Sequence, residues 1–219
     1  MCGRYTLKAT SQQVARLFDL PETPEVTPSY NIAPTQDVPV VIEEDSRRLE
    51  TMRWGLIPSW ADDPSIGSRM INARAETVAE KPSFRVAFKR RRGLIVADGF
   101  FEWQKTYDGK QPHYLRLKDG EPFAFAGLWE SWRVEGGEEI RSCTIITTEP
   151  NELAAEIHNR MPVILPSELY DPWLDPKNDD REELLAMLQP YPAEQMTAHP
   201  VSRYVNKPAN NDPSVIEPE

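Results

Sequence analysis

The sequence predicts an α+β domain: a mostly antiparallel, barrel-like sheet with a few flanking helices. Three observations carry this. The middle of the chain is a succession of strand-like runs rich in β-branched and aromatic residues: LIVADGFFEW, HYLRLKDG, FAFAGLWESW and SCTIITTE. Glycine turns punctuate them at Asp108-Gly109 and Glu135-Gly136-Gly137. Helical periodicity is confined to four short stretches. Strands that outnumber helices in this way pair with their neighbours in sequence and are not separated by crossover helices.

Taken in order, TSQQVARLFDL is the first helix. Thr10 caps it with Gln13 three residues on, and Val14, Leu17 and Phe18 share one face. PETPEVTPSYNIAPTQ is too rich in proline for regular structure. VPVVIEE and RLETMRWGLIP read as strands, and WADDPSIGSRMINARAE as a long irregular link. KPSFRVAFKRRRG reads as a helix with Phe84, Ala87 and Phe88 inward, basic residues in its last turn and Gly93 as its stop. After the strand-rich centre, PNELAAEIH is a short helix with Leu153 and Ile157 inward. MPVILP is extended, and DDREELLAMLQ is the last helix. Residues 190–219 read as a surface wrap or a partly ordered tail. With no repeat and no clean linker, residues 1–219 form one domain, and 176–219 supply a C-terminal helix and a proline-rich acidic tail.

Composition excludes several classes. The 219 residues are 39% hydrophobic and 27% charged, an ordinary soluble balance. No apolar run approaches the roughly 18 residues of a membrane span, and the start lacks a signal-peptide pattern. Two cysteines, Cys2 and Cys143, make no disulfide framework and are expected as free thiols in a reducing compartment. A net charge of -10 argues against general nucleic-acid affinity, but basic clusters such as RVAFKRRRG leave room for a local groove. No P-loop, glycine-rich dinucleotide turn or paired-cysteine zinc motif is present, and no cofactor or metal is called for.

Four features carry chemistry. The chain opens MCGRY. If Met1 is removed, Cys2 bears an α-amine with a pKa of roughly 7.7–8.0 and a thiol near about 8.5. Such a 1,2-aminothiol condenses with an aldehyde to an imine, and the thiol then closes a thiazolidine ring, both nucleophiles being held on one residue. The alternative is an incidental cysteine. Of three histidines, His158 at the end of PNELAAEIH is the best acid-base candidate, its bland alternative being a helix C-cap. Glu102 stands among Phe100, Phe101 and Trp103, where aromatics raise a carboxyl pKa, unless it faces solvent in an alternating strand. In INARAE, Asn72 can hold a substrate oxygen or an amine and Arg74 a phosphate, unless these polar groups serve only a turn.

Together these segments meet a resemblance. MCGRY, YNIAPTQ, RWGLIPSWA, INARAET, ADGFFEW, FAFAGLWE, SCTIITTEPN and IHNRMPVIL, spread from Met1 to about Leu165, resemble the SRAP family, the SOS response-associated peptidase domain. The resemblance implies capture of abasic sites in single-stranded DNA, including single-to-double-strand junctions, through a thiazolidine between Cys2 and the ring-opened sugar. It also implies self-removal of Met1. Carried over by motif, Cys2 is the nucleophile and Asn72 positions amine and sugar. Glu102 transfers protons and acts in release of Met1, and His158 assists ring opening and reversal. Arg4 and Arg74 are implied contacts to phosphates. The family often has tyrosine where Phe101 stands and aspartate where Asn159 stands. Beyond Asp175 the resemblance is weak, and no role is assigned there.

An abasic site offers no base edge, so phosphate contacts, shape and stacking must hold it. Arg69, Arg85 and Arg160 join Arg4 and Arg74 as basic candidates, and Trp60 and Trp103 as stacking ones, while Trp54 and Trp129 read as core. The expected setting is the cytoplasm of a bacterium, at the nucleoid when damaged DNA is bound, with a monomer as the default. The alternative reading is a cysteine peptidase acting on other proteins through Cys2 and His158. Two further rivals are a zinc site of Cys2, Glu102 and His158, and a non-catalytic DNA-binding module.

Overall fold

The computed structural model describes residues 2–133 and 137–219. The turn expected at Glu135-Gly136-Gly137 falls outside these, apart from Gly137, as does Met1. In chain order, β1 (Tyr5–Leu7), α1 (Ser11–Leu17), β2 (Ser29–Ile32), β3 (Asp37–Glu43) and β4 (Arg47–Trp54) open the fold. A 3-10 turn at Pro64–Arg69 leads to β5 (Asn72–Arg74) and α2 (Arg85–Arg90). Five long strands follow: β6 (Arg92–Ala97), β7 (Gly99–Thr106), β8 (Gly109–Leu117), β9 (Phe123–Arg133) and β10 (Glu139–Thr148). Then come α3 (Glu152–Ala155), β11 (Met161–Pro162), β12 (Ile164–Leu165), α4 (Tyr170–Leu174), α5 (Arg181–Ala186) and β13 (Met196–Pro200).

One sheet closes on itself. Its order runs β4-β3-β6-β9-β10, and β10 returns to β4 through parallel pairing of Cys143 with Trp54. Antiparallel pairing dominates, and β5 adds a second parallel partner to β10, with Asn72 opposite Ile145. The second sheet, β13-β8-β7-β1-β2, is antiparallel throughout. The chain passes between sheets at Asp98, between β6 and β7. This buried carboxylate accepts hydrogen bonds from Thr6 Oγ1 (2.6 Å) and the backbone N–H groups of Lys8 and Ala9. It thereby locks the corner to β1. Gly99 is required next to it, because a Cβ there would lie 2.2 Å from the Tyr114 hydroxyl.

The first strand is held on both sides. β1 lies between β7 and β2, with Tyr5 opposite both Phe100 and Ile32. The Tyr5 ring packs edge-on against Trp54 (5.3 Å) and Phe125 (5.7 Å) in the central core. Aromatic packing of this kind contributes about 1 kcal/mol per pair beyond the area buried. Cys2, three residues before Tyr5, is therefore delivered to a fixed, buried place.

The first helix forms as its capping residues predict. Gln13 N–H donates to Thr10 Oγ1 and Thr10 N–H donates to Gln13 Oε1. Several expectations need correction. The stretch read as a long irregular link holds the 3-10 turn and β5, a strand because β10 gives it a parallel partner. The proline-rich stretch does contain a strand, β2, because its backbone finds β1 as a partner. Gly93 does not stop α2; it lies in β6, where a Cβ would press to 2.8 Å from Val40 Cγ1. Of the two readings of the segment after residue 190, the surface wrap holds and the partly ordered tail does not. β13 pairs along β8, and Val201, Val205 and Val215 are fully buried over the outer face of the second sheet with Phe101 and Tyr114. Val205 ends up there because its neighbours are tied down. Asn31 Nδ2 donates to the carbonyls of Val205, Lys207 and Asn210 at 2.7–3.1 Å.

Candidate active site

Cys2 is 0% exposed and its Sγ lies 3.9 Å from the Arg4 carbonyl. The Cys2 carbonyl accepts a 2.8 Å hydrogen bond from Asn72 Nδ2. Asn72 begins β5, so the β5–β10 register sets its position. Its other side-chain atom, Oδ1, is buried with no hydrogen-bond partner among the described residues. A buried acceptor left open costs stability, and here it sits next to the backbone of the candidate nucleophile.

Glu102 owes its burial to strand alternation. Phe101 and Trp103 point to the outer face, under the C-terminal segment, while Phe100 and Glu102 point to the opposite face with the central core. Glu102 is 3% exposed, so it does not face solvent. Burial pushes its carboxyl up to about 7. The same charge, second to burial, pushes the Cys2 thiol above its ordinary range.

His158 arrives from the other side. α3 is capped by Asn151, and the His158 N–H closes its end on the Ala154 carbonyl at 2.8 Å. His158 Nδ1 lies 3.1 Å from the Arg160 N–H, from which it accepts in one tautomer, and 3.2 Å from the Arg160 carbonyl, to which it donates in the other. Nδ1 stands 3.9 Å from Glu102 Oε2. Burial lowers the His158 pKa, so the pair tends toward a neutral imidazole beside a half-protonated carboxyl near pH 7. A cavity of about 530 Å³ opens from this pair, walled by Trp103, Gln104, Lys105, Lys110, Ile157 and Asn159. Among the described residues, no group of three or more His, Cys, Asp and Glu side chains is placed to hold a metal ion.

Thus Cys2, Asn72, Glu102 and His158 fall into two contacts, Asn72 with the Cys2 backbone and Glu102 with His158, joined by the charge of Glu102 acting on the Cys2 thiol. The other candidates divide. Arg69, Arg74 and Arg85 are exposed on the surface. Trp60 is 56% exposed. Arg160 is engaged: its guanidinium forks onto Glu76 and donates to the Thr147 carbonyl at 2.6 Å. Arg4 Nη1 is likewise engaged, by Asn31 Oδ1 and the Val205 carbonyl, both at 2.8 Å. Trp103 is half-buried and donates from Nε1 to Asn206 Oδ1 at 2.8 Å. The motifs give Asn31 of YNIAPTQ no role, and Glu76 of INARAE stands in them only as a polar neighbour of Asn72 and Arg74. Their partners at Val205 and Arg160 lie 174 and 84 residues away, which no local pattern shows. His113 stands directly opposite Glu102 across the β7–β8 pair, with Nδ1 3.2 Å from the Gln111 carbonyl, while His199 lies in β13. His199 Nε2 pairs with the Ile216 carbonyl at 2.8 Å.

The sequence profile of the SOS response associated peptidase (SRAP) family matches residues 1–208. The chain belongs to the SRAP family. The match reaches well past Asp175 and takes in β13 and the buried Val205. Among SRAP relatives, the chain is 50% identical over 224 residues to abasic site processing protein YoqW of Bacillus subtilis, covering 99% of each chain. It is 33% identical to abasic site processing protein YedK of Escherichia coli, covering all of both. Abasic site processing protein HMCES of Gallus gallus is 33% identical, with 87% of this chain and 66% of that protein covered. A crystal structure of a Bacteroides thetaiotaomicron protein superposes with a TM-score of 0.90 at 29% identity over the whole of both chains.

Proposed function

We propose that this SRAP protein processes abasic sites in single-stranded DNA by forming a covalent thiazolidine through Cys2. The observation that carries the reading is the setting of Cys2: a buried thiol whose own carbonyl is gripped by Asn72, beside a carboxyl that titrates at about 7. The printed names of the relatives, abasic site processing proteins, support the substrate. Their bacterial members support a bacterial cytoplasmic setting.

The steps balance as follows. Hydrolysis of the Met1–Cys2 amide frees the α-amine of Cys2. The amine adds to the aldehyde of the ring-opened sugar, and loss of one water gives the imine. The thiol then adds across the C=N bond: sulfur bonds to carbon, and the thiol proton ends on nitrogen. Because burial disfavours the thiolate, proton transfer must accompany attack. Glu102 is suited to take that proton and deliver it to nitrogen, since a carboxyl near pH 7 works in both directions. Asn72 Oδ1 is suited to accept a hydrogen bond from the amine, and neutral His158 to move the proton that opens the sugar ring.

The setting of the thiol disfavours the rival peptidase reading. A cysteine protease needs its thiol pKa lowered, and here burial raises it. The test is a denaturing gel of mature protein with a single strand carrying one abasic site. Wild type forms an adduct that survives heat and detergent. Cys2→Ala, a protein retaining Met1, and a strand with an intact base form none. Adduct formation that persists with the amine blocked sinks the aminothiol mechanism.

A further inference from the structure

Lys105 and Lys110 stand directly opposite each other across the β7–β8 hairpin. Like charges so opposed destabilise a sheet. Among the described residues neither forms an ion pair, whereas Lys8 and Lys89 do, with Asp98 and Asp179. Both lysines wall the cavity of about 530 Å³ that has Glu102 and His158 at its base. The carboxylates lining it are Glu102, buried at the base, and Glu156 on the rim, whose backbone carbonyl holds Gln104 Nε2 at 2.8 Å. Both ammonium groups act on His158: after burial, their fields are among the causes that keep its ring neutral. An unneutralised cationic pair at the mouth of a reactive cavity fits a bound anion that supplies the missing charge.

We propose that Lys105 and Lys110 form a phosphate subsite, clamping the phosphodiester next to the abasic sugar on the side of the β7–β8 hairpin. This rests on the function proposed above, because a nucleotide sugar at Glu102 and His158 brings a phosphodiester with it on each side. The clamp has two consequences. It orders the strand across the cavity. It also balances the lysine charges once DNA is bound, so His158 becomes easier to protonate in the complex than in the free protein.

The test measures binding of wild type and of the Lys105→Gln/Lys110→Gln double variant to a single strand carrying a tetrahydrofuran abasic analogue. That analogue has no aldehyde, so only non-covalent affinity is read. Titrations by fluorescence anisotropy are repeated over a range of salt concentrations. One lost phosphate contact lowers the slope of log K against log salt by about 0.7. The double variant shows that loss, Lys105→Arg/Lys110→Arg restores it, and Lys118→Gln, in the exposed turn that follows β8, leaves it unchanged. Methylphosphonate at a single linkage beside the lesion removes the wild-type advantage. An unchanged slope in the double variant, or an equal loss in Lys118→Gln, overturns the subsite. In parallel, wild type is given the aldehyde-bearing strand on a denaturing gel. Failure to form an adduct there overturns the proposed function, while an adduct with an unchanged slope overturns only the lysine subsite.

Discussion

Replacing Glu102 with Gln removes a charge while keeping shape, and should stabilise the fold while slowing the chemistry. The Glu102 carboxyl is 3% exposed, and burial raises its pKa from 4.5 to about 7. Each pKa unit corresponds to about 1.36 kcal/mol, so keeping the group ionised costs the folded state about 3 kcal/mol. For the sign, the folded state binds this proton more tightly than the unfolded chain. Between pH 4.5 and about 7 the unfolded chain has released a proton that the folded state still holds. Stability therefore falls as pH rises through that window and levels off above it. Gln has no such dependence. Urea unfolding of both proteins from pH 4.5 to 8.5 gives the difference directly. The variant should gain about 3 kcal/mol on wild type across the series. His158, 3.9 Å away, is present in both proteins and is neutral above its lowered pKa, so it cancels over the upper half of the range. On the abasic strand, the same variant should form adduct about 10²–10⁴-fold more slowly, the usual contribution of a placed acid-base group. A stability difference that stays flat with pH would refute the assignment of Glu102 as a buried, raised carboxyl. Unchanged adduct kinetics would remove it from the proton path.

Other outcomes follow from the same geometry. Asn72→Ala removes the 2.8 Å bond to the Cys2 carbonyl, and should cost about 1 kcal/mol of stability by urea unfolding but disproportionately slow adduct formation on a gel time course. Glu76→Gln releases the Arg160 guanidinium from its forked carboxylate, so single-strand binding should tighten and its salt slope steepen by about 0.7. An unchanged slope would mean that Arg160 serves only the Thr147 carbonyl. Asn31→Ala unties three carbonyls of the C-terminal segment and the Arg4 guanidinium, a loss of about 3 kcal/mol that calorimetry would register as a Tm drop of roughly 6–12 °C.

Strand periodicity made the barrel strands β3, β6, β9 and β10 visible, because each buries an unbroken run of residues, while β4 buries only Met52 and Trp54. The Thr10 capping box was equally local and equally clear. Legibility failed wherever a backbone partner came from afar. β2 hides among prolines and β13 in a polar tail, and each is a strand only because β1 or β8 supplies its hydrogen bonds. Gly93 carries a helix-stop signal but is needed for close packing on Val40. Glu102 was read as either a raised carboxyl or a solvent-facing one. The choice turned on which face of β7 the segment around Val205 covers.

By itself, the sequence determined the strand-rich character of the fold, the helix caps and the candidate reagents: an aminothiol at position 2 and a carboxyl among aromatics. These are properties of residue type and short-range period. Only the tertiary structure decided that the thiol is buried, that Asn72 reaches back 70 residues to hold its carbonyl, and that Glu102 and His158 stand 3.9 Å apart. It also committed Arg4 and Arg160 to internal partners and left Lys105 and Lys110 opposed at the cavity mouth. The physical reason is register. Pairing β1 with β7 and β5 with β10 brings distant segments to one place, and the sum of many long-range contacts sets that pairing, not the residues at the site.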